Sequence, residues 1–140
     1  MNIQMDRKRL FKIQAYLIIL IFLVNSFALK FYLYYSIWYF DMFMHFLGGF
    51  WVGFFFLWLL SFKNTPLDFS MKLIYKIIFF VLFIGVSWEI FEILFNNIIA
   101  QNEFNIFDTI SDIFFDLSGG ILAVLYFLKR IMLIEENKVE

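Results

Sequence analysis

Four runs of roughly 20 mostly apolar residues dominate the chain, each the length a helix needs to cross a lipid hydrocarbon core. They extend over about Leu10–Leu29, Asp41–Phe62, Leu73–Phe95 and Phe107–Leu128. Short polar breakers separate them. Lys63-Asn64-Thr65-Pro66 holds the single proline, and Asn96-Asn97 with Gln101-Asn102-Glu103 reads as a polar turn. The spans leave no room for a second domain, so residues 1–140 read as one transmembrane domain. Composition agrees. With 64% hydrophobic and 16% charged residues, the chain has too little polar surface to wrap a soluble fold. The lack of cysteine excludes a disulfide scaffold, and a net charge of -1 argues against nucleic acid as a partner. The expected fold is all-α, an integral membrane four-helix bundle in contact with membrane lipid.

Orientation follows from the basic residues. Arg7, Lys8, Arg9 and Lys12 precede the first span, Lys63, Lys72 and Lys76 flank the connection between the second and third, and Lys129, Arg130 and Lys138 follow the fourth. A four-span topology gathers these on one side and leaves only Lys30 on the other. The expected location is therefore the cell (cytoplasmic) membrane, multi-pass, with both termini cytoplasmic. The first apolar run is too long for a signal-peptide core and no small-residue cleavage site follows it, so an uncleaved helix is expected. Tyr32, Tyr34, Tyr35, Trp38 and Tyr39 read as an aromatic belt at the opposite interface.

Six of the twelve acidic residues do not belong to the solvated ends. Asp41, Glu89, Glu92, Asp108, Asp112 and Asp116 fall within the spans or at their outer ends, and the single histidine, His45, joins them. Asp41, His45 and Gly49 recur every four residues, and so do Asp108, Asp112 and Asp116, while Gly85, Glu89, Glu92 and Asn96 share a third stripe. Residues three or four apart are neighbours on a helix surface, so each of three helices presents one polar face. All six glycines lie on these same helices, close to the acids, and small residues let membrane helices approach. The expectation is tight packing of the second, third and fourth spans below a polar chamber that opens outward, with the first span, offering only Asn25 and Ser26 in its outer half, as a peripheral support.

Carboxylates crowded in low dielectric repel one another and are costly in a membrane. Protons, trapped water or bound cations must offset that. Hard divalent ions prefer carboxylate oxygens, and an imidazole widens the choice, so magnesium, manganese or zinc are the cofactors to consider, with iron also compatible. Two divalent ions would neutralise four of the six negative charges. The candidate metal ligands are Asp41, His45, Glu89, Glu92, Asp108, Asp112 and Asp116; the candidate catalytic groups are His45, Asp112, Asp116 and Glu89. Asp41 and Asp108 each begin a span, which leaves a helix N-cap role open for either. Intramembrane ionisable groups are functional by default.

The elements Asp41-x-x-x-His45-Phe46-x-Gly48-Gly49, Trp88-Glu89-x-x-Glu92 and Asp108-Thr109-x-x-Asp112-x-x-x-Asp116-x-x-Gly119 resemble the YjdF-like small integral membrane proteins and, more distantly, the VanZ-like membrane proteins. The resemblance covers about Asp41 to Gly120. The YjdF-like pattern commonly carries a further acid where this chain has Asn105, which puts an outermost ligand or cap in doubt. Kinship with VanZ-like proteins implies action at the outer leaflet on cell-envelope components. Two functions are therefore expected in competition: a metal-dependent enzyme acting on a lipid or lipid-linked envelope component, and a non-enzymatic envelope-ligand binding or proton/cation-coupled membrane protein. The chain lacks a Gly-x-Ser-x-Gly element and a cysteine nucleophile, which speaks against acyl-enzyme chemistry. Apolar runs below Gly85 and Gly119 speak against a continuous pore through one protomer.

Overall fold

A computed structural model describes residues 2–3, 7–62, 67–68, 70–95 and 105–139. Four helices are long and apolar enough to cross a membrane: α1 (Arg7–Lys30), α3 (Phe40–Leu60), α4 (Met71–Phe95) and α5 (Ile106–Val139). A one-turn helix, α2 (Leu33–Ser36), joins α1 to α3. Both polar turns expected from the sequence lie outside the described residues. One departure from a purely helical chain is an antiparallel pairing of β1 (Asn2–Ile3) with β2 (Leu67–Asp68). It ties the N-terminal segment to the connection between α3 and α4, so these two lie at one end of the bundle.

Each helix buries a stripe whose spacing was visible in the sequence. On α4, Leu73, Ile77, Val81, Gly85 and Glu89 are buried at strict four-residue intervals, the ridge that one helix presents to another's groove. On α3 the stripe is His45, Gly49, Gly53 and Leu57. On α5 it is Asp112, Asp116, Gly119, Gly120, Ala123, Val124 and Phe127. The opposite faces are covered with exposed Phe, Leu, Ile and Tyr side chains, as contact with lipid requires.

The tightest contact is between α3 and α5, where backbone meets backbone. A side chain at Gly49 would run into the carbonyl of Asp116, and one at Gly119 into the carbonyl of Phe46. One turn further on, a Cβ at Gly53 would lie 2.9 Å from the Cβ of Ala123. Glycine is required here because the helices approach more closely than a methyl group permits. The half of the bundle toward the termini is filled by Leu10, Phe54, Leu57, Leu73, Ile77, Val81, Ala123, Val124 and Phe127.

Helix ends and the expected span ends part company at two places. The second helix stops at Leu60, with Ser61 closing its last turn through a 2.6 Å bond from Oγ to the Trp58 carbonyl, rather than continuing to Phe62. The expected fourth span, about Phe107–Leu128, coincides with the apolar stretch Ile106–Lys129 of α5, while the helix itself runs on to Val139. Its 34 residues reach about 50 Å, more than a ~30 Å hydrocarbon core, so α5 projects beyond the membrane at the termini end. Hydropathy marks where a span leaves lipid, not where the helix stops.

The first helix is more than a support. Gln14 is buried against α3, its Nε2 donating to the Phe54 carbonyl at 3.2 Å, while Trp51 Nε1 donates to the Gln14 carbonyl at 3.2 Å. A Gln buried in a lipid-spanning helix is satisfied only by such a partner. Ser26, by contrast, bonds back to the Phe22 carbonyl of its own helix at 2.8 Å.

A candidate metal centre at the α2 end of the bundle

Four polar side chains from three helices meet in the half of the bundle nearest α2. His45 comes from α3, Glu89 from α4, and Asp112 and Asp116 from α5; all four are buried, Asp112 to 2% exposure. His45 stands at their centre. Its Nδ1 lies 3.4 Å from Asp116 Oδ2, and its Nε2 lies 3.8 Å from Glu89 Oε1 and 4.0 Å from Asp112 Oδ2. Gly85 makes room for the arrangement, since a Cβ there would fall 2.6 Å from Asp116 Oδ2.

Two oxygens of this group have no hydrogen-bond partner: Glu89 Oε1 and Asp112 Oδ1. Buried polar atoms are nearly always paired, because an unpaired one has lost its water and gained nothing in return.

A second tier caps the first on the α2 side. Asp41 and Glu92 are half-buried, and Asp108 is exposed in the first turn of α5. Tyr34 joins them. Expected in the interfacial belt, it instead turns inward, donating its hydroxyl to Asn25 Oδ1 at 2.7 Å and packing edge-on to Phe40. Burial, then the carboxylates of Asp41 and Glu92, hold the Tyr34 phenol above the usual tyrosine range, so it stays a neutral donor. The turn that brings it there passes through Tyr32, whose φ of 55° is a left-handed conformation rare for a residue with a side chain. Tyr35 and Trp38 remain strongly exposed, as an aromatic belt requires.

Among the described residues, the inner four side chains are buried, and the outer tier, with Asp41 and Glu92 half-buried and Asp108 exposed, is the part that reaches the surface. The cap question is also answered. Tyr39 precedes α3 without a side-chain cap, and the cap of α5 is Asn105, whose Oδ1 accepts from the Phe107 backbone N–H at 3.1 Å. Neither Asp41 nor Asp108 is needed as an N-cap, and the missing acid at Asn105 is replaced by an amide that does the capping.

Two groupings present ligand atoms all within 4.8 Å of one another: Asp41, His45 and Asp112, and His45, Glu89 and Glu92. Imidazole with carboxylate is a donor set suited to first-row divalent ions. Asp108 and Asp116 lie outside both groupings. The structure thus brings five of the seven sequence candidates, Asp41, His45, Glu89, Glu92 and Asp112, into groupings of ligand atoms, and adds Tyr34 and Asn25, which sequence reasoning had not placed there. The only signal for these was a polar pair at the helix ends nine residues apart, too generic to single out.

No curated protein and no solved structure matches the chain. A family model described as "Predicted membrane protein (DUF2238)" matches residues 1–132, which agrees with the YjdF-like resemblance and lends no support to the VanZ-like one. The match takes in all four spans and both tiers of polar residues, and the chain belongs to the DUF2238 family of predicted membrane proteins.

Proposed function

We propose that the protein is a metal-dependent membrane enzyme acting on a lipid or lipid-linked cell-envelope component. The observation that carries this reading is a pair of buried oxygens without a hydrogen-bond partner, Glu89 Oε1 and Asp112 Oδ1, on two carboxylates that both approach Nε2 of His45. A divalent cation between them would satisfy both at once and offset the charge that burial makes costly. A bound ion would supply Lewis acidity toward an acyl or phosphoryl oxygen and lower the pKa of a bound water. Asp41 and Glu92, at the partly exposed rim, are placed to take a proton from that water. No Lys or Arg is among the residues of either tier, so the ion would also have to hold any phosphate oxygen.

The competing reading, a proton- or cation-coupled protein, needs polar groups continuing toward the termini. Immediately beyond Asp116 and Gly85 stand Phe54, Ile77, Val81, Ala123 and Val124, all buried and apolar. That favours a closed site over a path.

The test is elemental analysis of the detergent-solubilised protein beside a double variant, His45→Ala with Asp112→Asn. The expected result is a stoichiometric divalent metal in the wild type and its loss in the double variant. A wild type that stays metal-free after incubation with manganese or zinc sinks the enzyme reading and leaves a ligand-binding or proton-carrying network.

The basic residues near the termini favour a cytoplasmic position for that end, which directs the α2 end and the acidic tiers outward. Because the chain contains no cysteine, a single Tyr35→Cys substitution reports this cleanly; Tyr35 is 90% exposed beside the outer tier. Labelling by a membrane-impermeant maleimide is expected in intact cells. Labelling that appears only after lysis would reverse the orientation.

A further inference from the structure

Resting on the reading that this centre binds a divalent metal, we infer that it holds one ion and not two, through His45 Nε2, Glu89 and Asp112, with Asp116 as a positioning residue. The two faces of the imidazole are unlike. Nδ1 is met by Asp116 Oδ2 at 3.4 Å, a contact in which an ionised Asp116 accepts and Nδ1 carries the proton. In that tautomer Nε2 is the nitrogen that offers a lone pair to an ion. That lone pair faces Glu89 Oε1 at 3.8 Å and Asp112 Oδ2 at 4.0 Å.

Glu89 Oε1 is at once the oxygen nearest to Nε2 on α4 and an oxygen with no partner. Two donors about 2.1 Å from a shared ion stand roughly 3 to 3.5 Å apart, so the two separations from Nε2 need to contract by less than about 1 Å, while Glu89 and Asp112, which share neither grouping, have further to close. Both candidate groupings contain His45, yet only one of its nitrogens is free. They are therefore alternatives around a single ion and not two sites, with Asp41 and Glu92 at the rim as the further donors. Asp116 belongs to the widespread arrangement in which a carboxylate grips the far nitrogen of a metal-binding histidine and fixes its ring. Gly85 serves the same end by leaving space for Asp116 Oδ2. The mixed nitrogen and oxygen set suits zinc or manganese better than magnesium, which prefers oxygen and retains its waters.

The chain has a single histidine, so protein labelled with ¹⁵N-histidine gives just two ring-nitrogen signals. The experiment titrates the detergent-solubilised full chain with zinc while following both. One zinc per chain is expected, with the Nε2 signal moving to that of a metal-bound nitrogen and Nδ1 remaining protonated. Asp116→Ala is expected to weaken zinc binding by about 10- to 100-fold at unchanged stoichiometry. Asp116→Asn, which keeps an acceptor for Nδ1–H, is expected to stay within about 3-fold of wild type. Zinc on Nδ1, two zinc ions per chain, or Asp116→Asn losing as much as Asp116→Ala would each overturn the inference while leaving the metal reading intact. Failure of the wild type to bind zinc or manganese at all would bring down the underlying reading and the inference together. The wild-type titration decides the nitrogen and the count even if an Asp116 variant does not fold.

Discussion

Gly49→Ala is expected to cost about 3 kcal/mol of stability, while Gly48→Ala, one residue away, is expected to change it by less than about 0.5 kcal/mol. The difference lies in what the new methyl group meets. At Gly48 it would find the Asp116 carboxylate at 3.8 Å, an ordinary contact with the movable end of a side chain. At Gly49 it would overlap the backbone carbonyl of Asp116, which no rotamer change can move. The helices must then separate, and close packing resists that because every neighbour along α3 and α5 shifts with them. Separation also draws Asp116 away from His45, so Gly49→Ala is expected to weaken metal binding as well. Detergent-denaturant unfolding followed through Trp51 and Trp58, both on α3, reads the stability term. Equal stability of the two variants would mean that α3 and α5 do not meet as closely as described.

That contact was half legible in the sequence. Glycines on three spans beside the acids implied close approach, but spacing alone could not say which pair of helices meets through backbone and which through side chains. Gly49 and Gly119 turn out to be reciprocal, and Gly85 instead leaves room for a carboxylate. Four-residue recurrence on each helix put His45, Glu89, Asp112 and Asp116 on inward faces, because a lipid-spanning helix has nowhere else to direct a charge. What periodicity does not carry is rotation and depth between helices. Hence the depth of the inner tier could be read, but the pairing of Asp116 with Nδ1 and of Glu89 with Nε2 could not. Residues whose role depends on a tertiary partner were the ones missed. Gln14 looks like a polar blemish in α1 until Phe54 and Trp51 are beside it, and Tyr34 looks like one more interfacial aromatic until Asn25 accepts its hydroxyl.

Glu89→Met is expected to stabilise the metal-free protein by about 1 to 3 kcal/mol while abolishing zinc binding. The sign is the informative part. Were Glu89 a member of a finished structural network, its removal would leave partners stranded and lower stability by a similar amount. Instead, Glu89 Oε1 is itself the stranded atom, buried on α4 with no donor. A methionine of similar volume removes that atom and its charge, and flexible thioether packing fills the space it leaves. His45 Nε2 stands 3.8 Å from Glu89 Oε1, too far for a hydrogen bond, so the substitution breaks none there. Zinc should erase the advantage. At a concentration 100-fold above its Kd, a ligand that binds only the folded state adds about 2.7 kcal/mol to the wild type and nothing to a variant that cannot bind it. Unfolding of both proteins, with and without zinc, therefore separates two accounts of the same acids. A variant more stable than wild type only in the absence of zinc marks a centre held ready for an ion. A variant less stable under both conditions would return Glu89 to the role of a structural residue and remove it from the ligand set.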